Sequence, residues 1–340
     1  MAKAKEIGLM TENMNAQDYV DHAKHAESMG FQSYWVPEDY AMPAAFSALG
    51  AIAASTSTIK LGTGVVNPYT RHPVLLGMEI AALDQISDGR AILGLGGGLK
   101  LWIEDQMGMS YAKPVSAMRE TVSILRRLFS GDTVEHEGRV FSVGAGMKFG
   151  FEPRRAEVPI HIGATGPKAQ ELAGEVADGF FPFFVQPDSI RTAIKRVKAG
   201  AARSGRDLEN FDMSALVFVS VGDDDHAARE AIKPALATFF AWFATQPELP
   251  VFAEYGLSPK DVEVIRQAFL SGDLRTDMVN DTAIDGLSIS GSPERCREML
   301  TQLIDAGITM PVIFPITVPP GPGWAKEIEA LQQSLLRDFM

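Results

Sequence analysis

The feature that most limits how this chain can fold is a long alternation of strand-like and helix-like segments. Strand patterns lie at 6–10, at 33–37, in the stretch opening at Lys60, and at 91–97, 159–164, 178–184, 213–221 and 309–316. Helical apolar spacing falls between them, at 16–29, 44–54, 74–86, 114–130, 166–176, 188–204 and 292–306, with a last helix at 323–338. The first helix shows the pattern. Tyr19, Val20, Ala23, Ala26 and Met29 recur on one face, and Gly30 ends the run. Strands in this order are parallel and joined by crossover helices. Eight such units predict an α/β fold of the (β/α)8 TIM-barrel class, with an open doubly wound sheet as the alternative. Two stretches break the rhythm. Residues 131–157 read as a polar insertion with a short hairpin. Residues from about 225 to 282 read as an insertion of several helices with exposed aromatics, Phe239, Phe240, Trp242 and Phe243. No linker divides the chain. Pro319–Gly323 is a loop before the last helix, so residues 1–340 are expected to form one domain.

Composition narrows the function. With 46% hydrophobic and 22% charged residues, the chain has ample material for a large core. A net charge of −12 argues against nucleic acid or an anionic membrane as partner. The single cysteine, Cys296, sits in a helical pattern and reads as a packed thiol; no disulfide framework or cysteine metal site can be built from it. The six histidines show no metal-ligand spacing, and no metal is expected. His22 and His25 read as a solvated helix face. MAKAKEIG leads straight into a strand with no secretory signal, and no apolar run reaches membrane-spanning length. The expectation is a soluble cytoplasmic protein acting on a small molecule.

A parallel barrel builds its site at the carboxyl ends of its strands. In Lys60–Pro73 the glycines Gly62 and Gly64 interrupt a buried strand, and Asn67-Pro68 ends it; glycine there marks a bulge or a close backbone approach. Gly64, Val65, Val66 and Asn67 are therefore candidate binding residues. GATGPK follows the fifth strand and opens a helix, whose first amides have no internal partner and favour an anion. Gly163, Ala164, Thr165, Gly166, Pro167 and Lys168 thus form a candidate phosphate seat. GLGGGLK contains a G-x-G but has Leu99 where a dinucleotide fingerprint continues, and LWIEDQMG does not open a clean helix. Gly96, Gly97 and Gly98 instead allow a flat ligand to lie against the strand end. Glu38, Asp39 and, by position, Glu12 are candidate proton-handling carboxylates. Adjacent residues of an extended segment point to opposite sides, so at most one of Glu38 and Asp39 is expected to face the mouth. No Ser-His-Asp or Cys-His arrangement is identifiable.

GTGVVNPYTRHPV, LDQISDGRAILGLGGG and PIHIGATGPKAQELAGEVADGFF, in that order, closely resemble the bacterial-luciferase-like superfamily. Within it the chain is most similar to the coenzyme F420-dependent branch, and especially to methylenetetrahydromethanopterin reductase. The similarity runs from about residue 6 to 317 and includes KPVSAMRE and PVFAEYGL. The resemblance implies a (β/α)8 barrel that binds a deazaflavin or flavin at its carboxyl face. It implies a non-proline cis peptide at Gly64-Val65 behind the tricyclic ring, with Gly96–Gly98 bordering the ring and the GATGP turn on the phosphate. It departs from the reductase pattern at Met10 and Leu99, where carboxylates are expected, and at Glu38-Asp39-Tyr40, where the pattern is D-H-Y. The leading expectation is an F420-dependent oxidoreductase moving a hydride to or from a small organic substrate, with Tyr40 or Trp102 packing on that substrate. The alternatives are an FMN-dependent monooxygenase served by a flavin reductase, and a catalytically silent cofactor-binding protein. Family members are commonly homodimers, so a homodimer is expected.

Overall fold

The computed structural model describes residues 4–12, 15–39, 42–183, 185–246, 251–316, 324–337 and 339. The parallel strands are β1 (Gly8–Met10), β2 (Ser33–Val36), β3 (Lys60–Thr63) and β4 (Ala91–Gly96). An antiparallel hairpin, β5 (Val134–Glu137) and β6 (Ser142–Met147), follows. Then come β7 (Ile160–Gly163), β8 (Gly179–Phe180), β9 (Asp212–Val221), β10 (Ser288–Gly291) and β11 (Met310–Pro315). Pairing runs β11-β1-β2-β3-β4-β7-β8, and β9 joins both β8 and β11, which closes an eight-stranded barrel. The eight strands expected from the alternation are these eight. The doubly wound alternative is excluded by the closure.

The hairpin falls inside the first expected insertion. β10 is an addition that the sequence pattern did not reveal. It pairs with the outer half of β9, from Phe218 to Val221, above the point where the two-residue β8 has ended. Ser288, Ile289, Ser290 and Gly291 are buried but only one of them is strongly apolar, so hydrophobic periodicity misses the strand.

Met10, Trp35, Ile92, Phe181, Met310 and Val312 fill the barrel interior, with Leu216 and Phe314 above them. Trp35 is the largest of these. Its indole stacks on Phe181 with ring centroids 4.7 Å apart, and its Nε1 donates to Ser33 Oγ at 2.9 Å. The second insertion corrects the sequence reading. Phe239 and Phe240 on the helix Asp225–Ala244 are buried, and Trp242 and Phe243 are partly buried. Phe239, Phe240 and Phe243 pack inward with Phe183, Phe252 and Tyr255 to form a second apolar cluster, while Trp242 meets the Trp102 ring. His22 is also not on a solvated face. It is buried against the Trp324 ring at 3.7 Å, and burial lowers its imidazole to a pKa of about 4. Cys296 is packed as expected. Among the described residues no helix is long and apolar enough to cross a membrane, and no cluster of ligands for a metal occurs.

Candidate active site

The site grows from the end of β3. The β3–β4 register runs Leu61 with Ala91 and Gly62 with Ile92, then resumes at Val66 with Leu95. Four steps on one strand face three on the other, so one residue is extra, as in a bulge. Thr63 repairs the ladder through its side chain. Its hydroxyl donates to the Gly94 carbonyl at 2.8 Å and accepts from the Gly94 amide at 2.9 Å. The Gly64-Val65 peptide is cis. Beyond it, the Val66 amide donates to Gly94 and the Gly96 amide donates to Val66. Gly64 and Val65 are thereby lifted out of the ladder and left partly exposed at the mouth.

Small residues surround this bulge because larger ones have no room. A Cβ at Gly94 would lie 1.9 Å from the Thr63 carbonyl oxygen, and one at Gly96 would lie 2.5 Å from Val65 Cγ2. Gly163 also faces Val65, at 3.3 Å by the same measure. Gly98 adopts a left-handed φ of +70° and packs against Asn67 and Ile103. Asn67 is buried, and its Oδ1 accepts from the Tyr69 and Thr70 amides at 2.9 and 3.0 Å, which fixes the turn after β3. Met10 lies beneath Gly64, with Phe181 beside it. Leu99 is buried.

Glu38, Asp39 and Glu12 come together at one edge of this mouth but differ in state. Glu38 is held by both guanidinium nitrogens of Arg71, one of them at 2.7 Å. Arg71 Nε also pairs with Glu79 at 2.7 Å, and its guanidinium lies over the Phe46 ring at 5.3 Å. Glu38 therefore ties the loop after β2 to the loop after β3. Asp39 has no ion pair among the described residues. Burial, then the neighbouring charges of Glu12 and Glu38, pushes its pKa up to about 7. Glu12 is raised by desolvation, but it is exposed, so water screens much of that effect. Tyr40 lies outside the described residues.

The loop after β7 leads into the helix Pro167–Val176. Gly166 is its N-cap and supplies no side-chain hydrogen bond, and Pro167 has no amide hydrogen. A Cβ at Gly166 would meet nothing within 4 Å, so the approach to the helix start is open. Gln170 Nε2 donates to the Thr165 carbonyl at 2.9 Å, and Arg196 in turn holds Gln170 Oε1 at 2.9 Å, which fixes this turn from below. Lys168 is exposed. After β4, Leu101–Gln106 forms a π-helical turn. It carries Trp102 to the edge of Trp242, 5.0 Å away. Phe183, two residues beyond Phe181, packs on Phe239 at 4.2 Å and Phe243 at 5.5 Å.

Sequence reading missed four parts of this site. Thr63 and Arg71 are single polar residues whose partners lie 31 and 33 residues away, and no local pattern marks such pairs. The Phe183–Phe243 and Trp102–Trp242 contacts depend on how the insertion folds back. A cavity of about 550 Å³ lined by Arg119, Arg126, Asp178 and Arg206 contains none of these residues. It lies by Asp178, just before β8, at the barrel's other end, where conserving stability rather than chemistry is the usual role. Its Arg126–Asp178 and Arg119–Glu175 pairs fit that role.

The chain is similar in sequence and fold to known proteins. A methylenetetrahydromethanopterin reductase of Methanolobus tindarius is 35% identical over 318 residues, 93% of this chain and 94% of its own. The corresponding reductase of Archaeoglobus fulgidus is 36% identical over 321 residues, with 93% of each chain covered. The solved coenzyme F420-dependent tetrahydromethanopterin reductase of Methanopyrus kandleri superposes with a TM-score of 0.84 at 29% identity, covering 100% of both chains. Residues 3–310 match the luciferase-like monooxygenase family, and the chain belongs to that family.

Proposed function

We propose that this protein is a coenzyme F420-dependent oxidoreductase that moves a hydride to or from a small organic substrate. The observation that carries the reading is the pairing of two features on neighbouring strands. The partly exposed Gly64-Val65 bulge offers a flat backbone face, and the open start of the Pro167–Val176 helix lies across β4 from it. Relatives at 35% and 36% identity are named reductases, and the superposed structure is named as F420-dependent.

The residues fit a deazaflavin. Gly64, Val65, Val66, Asn67 and Gly96–Gly98 would border the ring, where Cβ atoms would crowd the bulge. Gly163, Ala164, Thr165, Gly166, Pro167 and Lys168 would take the phosphate, with the Lys168 amide at the helix start and its ammonium adding positive charge. When bound, the deazaflavin supplies the hydride chemistry. The chain's own residues then have three tasks. The bulge orients one ring face. Phe183, Phe239 and the Trp102–Trp242 pair shield the mouth from water. Asp39 holds or accepts the proton that accompanies a hydride, since a carboxyl near pH 7 serves in both directions. Glu38 acts as a strut, because Arg71 occupies both its oxygens. Glu12 sets the charge beside Asp39.

The places where the resemblance implies carboxylates hold the apolar side chains of Met10 and Leu99, which argues for a substrate other than the pterin. The enzyme is read as a cytoplasmic homodimer, to be checked by sedimentation. Titration with F420 and with FMN, followed by absorbance and fluorescence, tests the reading. Micromolar F420 binding is expected. No F420 binding, or a yellow protein that releases FMN on denaturation, would overturn it in favour of the monooxygenase alternative.

A further inference from the structure

The barrel mouth is divided by charge. The segment after β4 carries Lys100 and Lys113, and the first turn of the helix after β7 carries Lys168. Among the described residues that follow β1, β2 and β8, at 11–12, 37–39, 42–44, 181–183 and 185–186, there is no lysine or arginine. The turn after β9 reads Gly222-Asp223-Asp224-Asp225. Arg71 reaches this half from the loop after β3, but Glu38 and Glu79 take its guanidinium. In the second insertion, Arg229, Lys233, Arg266 and Arg275 each pair with carboxylates of that same insertion, and Lys260 lies at the start of the helix Pro259–Leu270 beside Asp261. What the cation-poor half offers instead is Glu12, Asp39 and a wall of rings, Phe183, Phe239, Phe243 and Trp242.

From this division we infer the substrate class: an uncharged, apolar carbonyl compound, or the alcohol formed from it, docked between the ring wall and the Asp39–Glu12 edge. The inference rests on the deazaflavin reading above. An anionic substrate entering this half would lose its hydration beside two carboxyl groups and gain no cation in exchange. Lys100 is taken by Glu104 and Asp105, each at 3.0 Å, so Lys113 and Lys168 are the cations on the other half that suit the anionic tail of the cofactor. A neutral substrate buries its apolar body on the rings, and its oxygen meets the Asp39 carboxyl. In the reducing direction, the carbonyl carbon accepts a hydride from the reduced deazaflavin. The C=O π pair then takes the proton from Asp39, and solvent returns one to the carboxylate. Carbonyl plus reduced deazaflavin gives alcohol plus oxidised deazaflavin.

The test is a matched pair of ligands. Cyclohexanone and cyclohexanecarboxylate are titrated into the full chain, with and without F420, and followed by tryptophan fluorescence. The ketone is expected to bind at least about tenfold more tightly. Trp242→Ala should weaken the ketone about tenfold and leave the F420 dissociation constant unchanged. The double variant Glu12→Gln with Asp39→Asn should raise the affinity for the carboxylate relative to the ketone about tenfold. Equal or tighter carboxylate binding by the unaltered chain, or no response to either ligand, overturns the inference. Failure of F420 to bind sinks the deazaflavin reading, while the ketone-to-carboxylate ratio still decides the substrate class.

Discussion

Asp39→Asn should stabilise the protein at neutral pH while removing its proposed proton donor. The folded chain holds the Asp39 proton up to about pH 7, against an ordinary aspartate value of 3.8. Between those values the folded state binds a proton that the unfolded chain has released. Stability therefore falls as pH rises from about 4 to about 7, and stays lower above. At about 1.4 kcal/mol per pH unit, the full effect is about 4 kcal/mol. Asparagine keeps the shape of the neutral carboxyl and cannot ionise. The variant should exceed the parent by about 1 kcal/mol at pH 4.5 and by about 4 kcal/mol at pH 8. Urea midpoints at pH 4.5, 6 and 8 with unchanged m values measure this gap. In the same variant, turnover should drop by about 10²–10⁴, the usual worth of a positioned proton donor. Parallel stability curves for the two proteins would refute the reasoning, because they would mean that Asp39 ionises in the fold as it does in the open chain.

Other perturbations separate scaffold from site. Gly94→Ala places a methyl group 1.9 Å from the Thr63 carbonyl, a backbone atom that cannot turn aside, so it should cost about 3 kcal/mol in chemical denaturation. Gly166→Ala adds the same methyl group in open space at an ordinary φ of −84°; melting should be unchanged while F420 affinity falls about tenfold in a fluorescence titration. Arg71→Met strips the partner from Glu38 and Glu79 at once and should cost about 3 kcal/mol, and the turnover profile should shift to higher pH as uncompensated charge builds beside Asp39. Cys296 is buried and burial pushes its thiol up to about 12, so a thiol reagent at pH 8 should label it only when denaturant is added.

The barrel was legible in the sequence because its strands are buried on both faces, so each reads as a short apolar run between helical patterns. The strand that escaped notice, β10, is serine or glycine at three of its four positions and survives by pairing with an already long β9. The glycines were legible as a class, since few other reasons place so many at strand ends. Which contact each one serves was not. Gly94 answers to Thr63, Gly98 to Asn67 and Gly96 to Val65, and these pairs are set by register across strands rather than by local spacing. The carboxylates show the same limit more sharply. Glu38 and Asp39 are neighbours with near-identical chemistry, yet one is neutralised by an arginine 33 residues on and the other is left to be neutralised by a proton. The aromatic run at 239–243 was read outward because helical spacing alone does not tell which side another element will cover.

Strand order explains why this fold makes a site that no single motif encodes. Bulge, glycine run and helix start leave β3, β4 and β7, which are consecutive neighbours in the barrel. Two strand spacings separate the outer pair, about 10 Å. A planar ring against the bulge therefore needs only a short spacer to place an anion on the free amides. A dinucleotide would instead need its pyrophosphate at a helix opened directly by the glycine run, and after GLGGG the chain forms a π-helical turn whose role is to carry Trp102 to the insertion. The same order also decides the charge division. On the proposed reading the anionic tail would be drawn to the β4–β7 side, which would free the opposite edge from binding anions and let its carboxylates be retained for proton transfer.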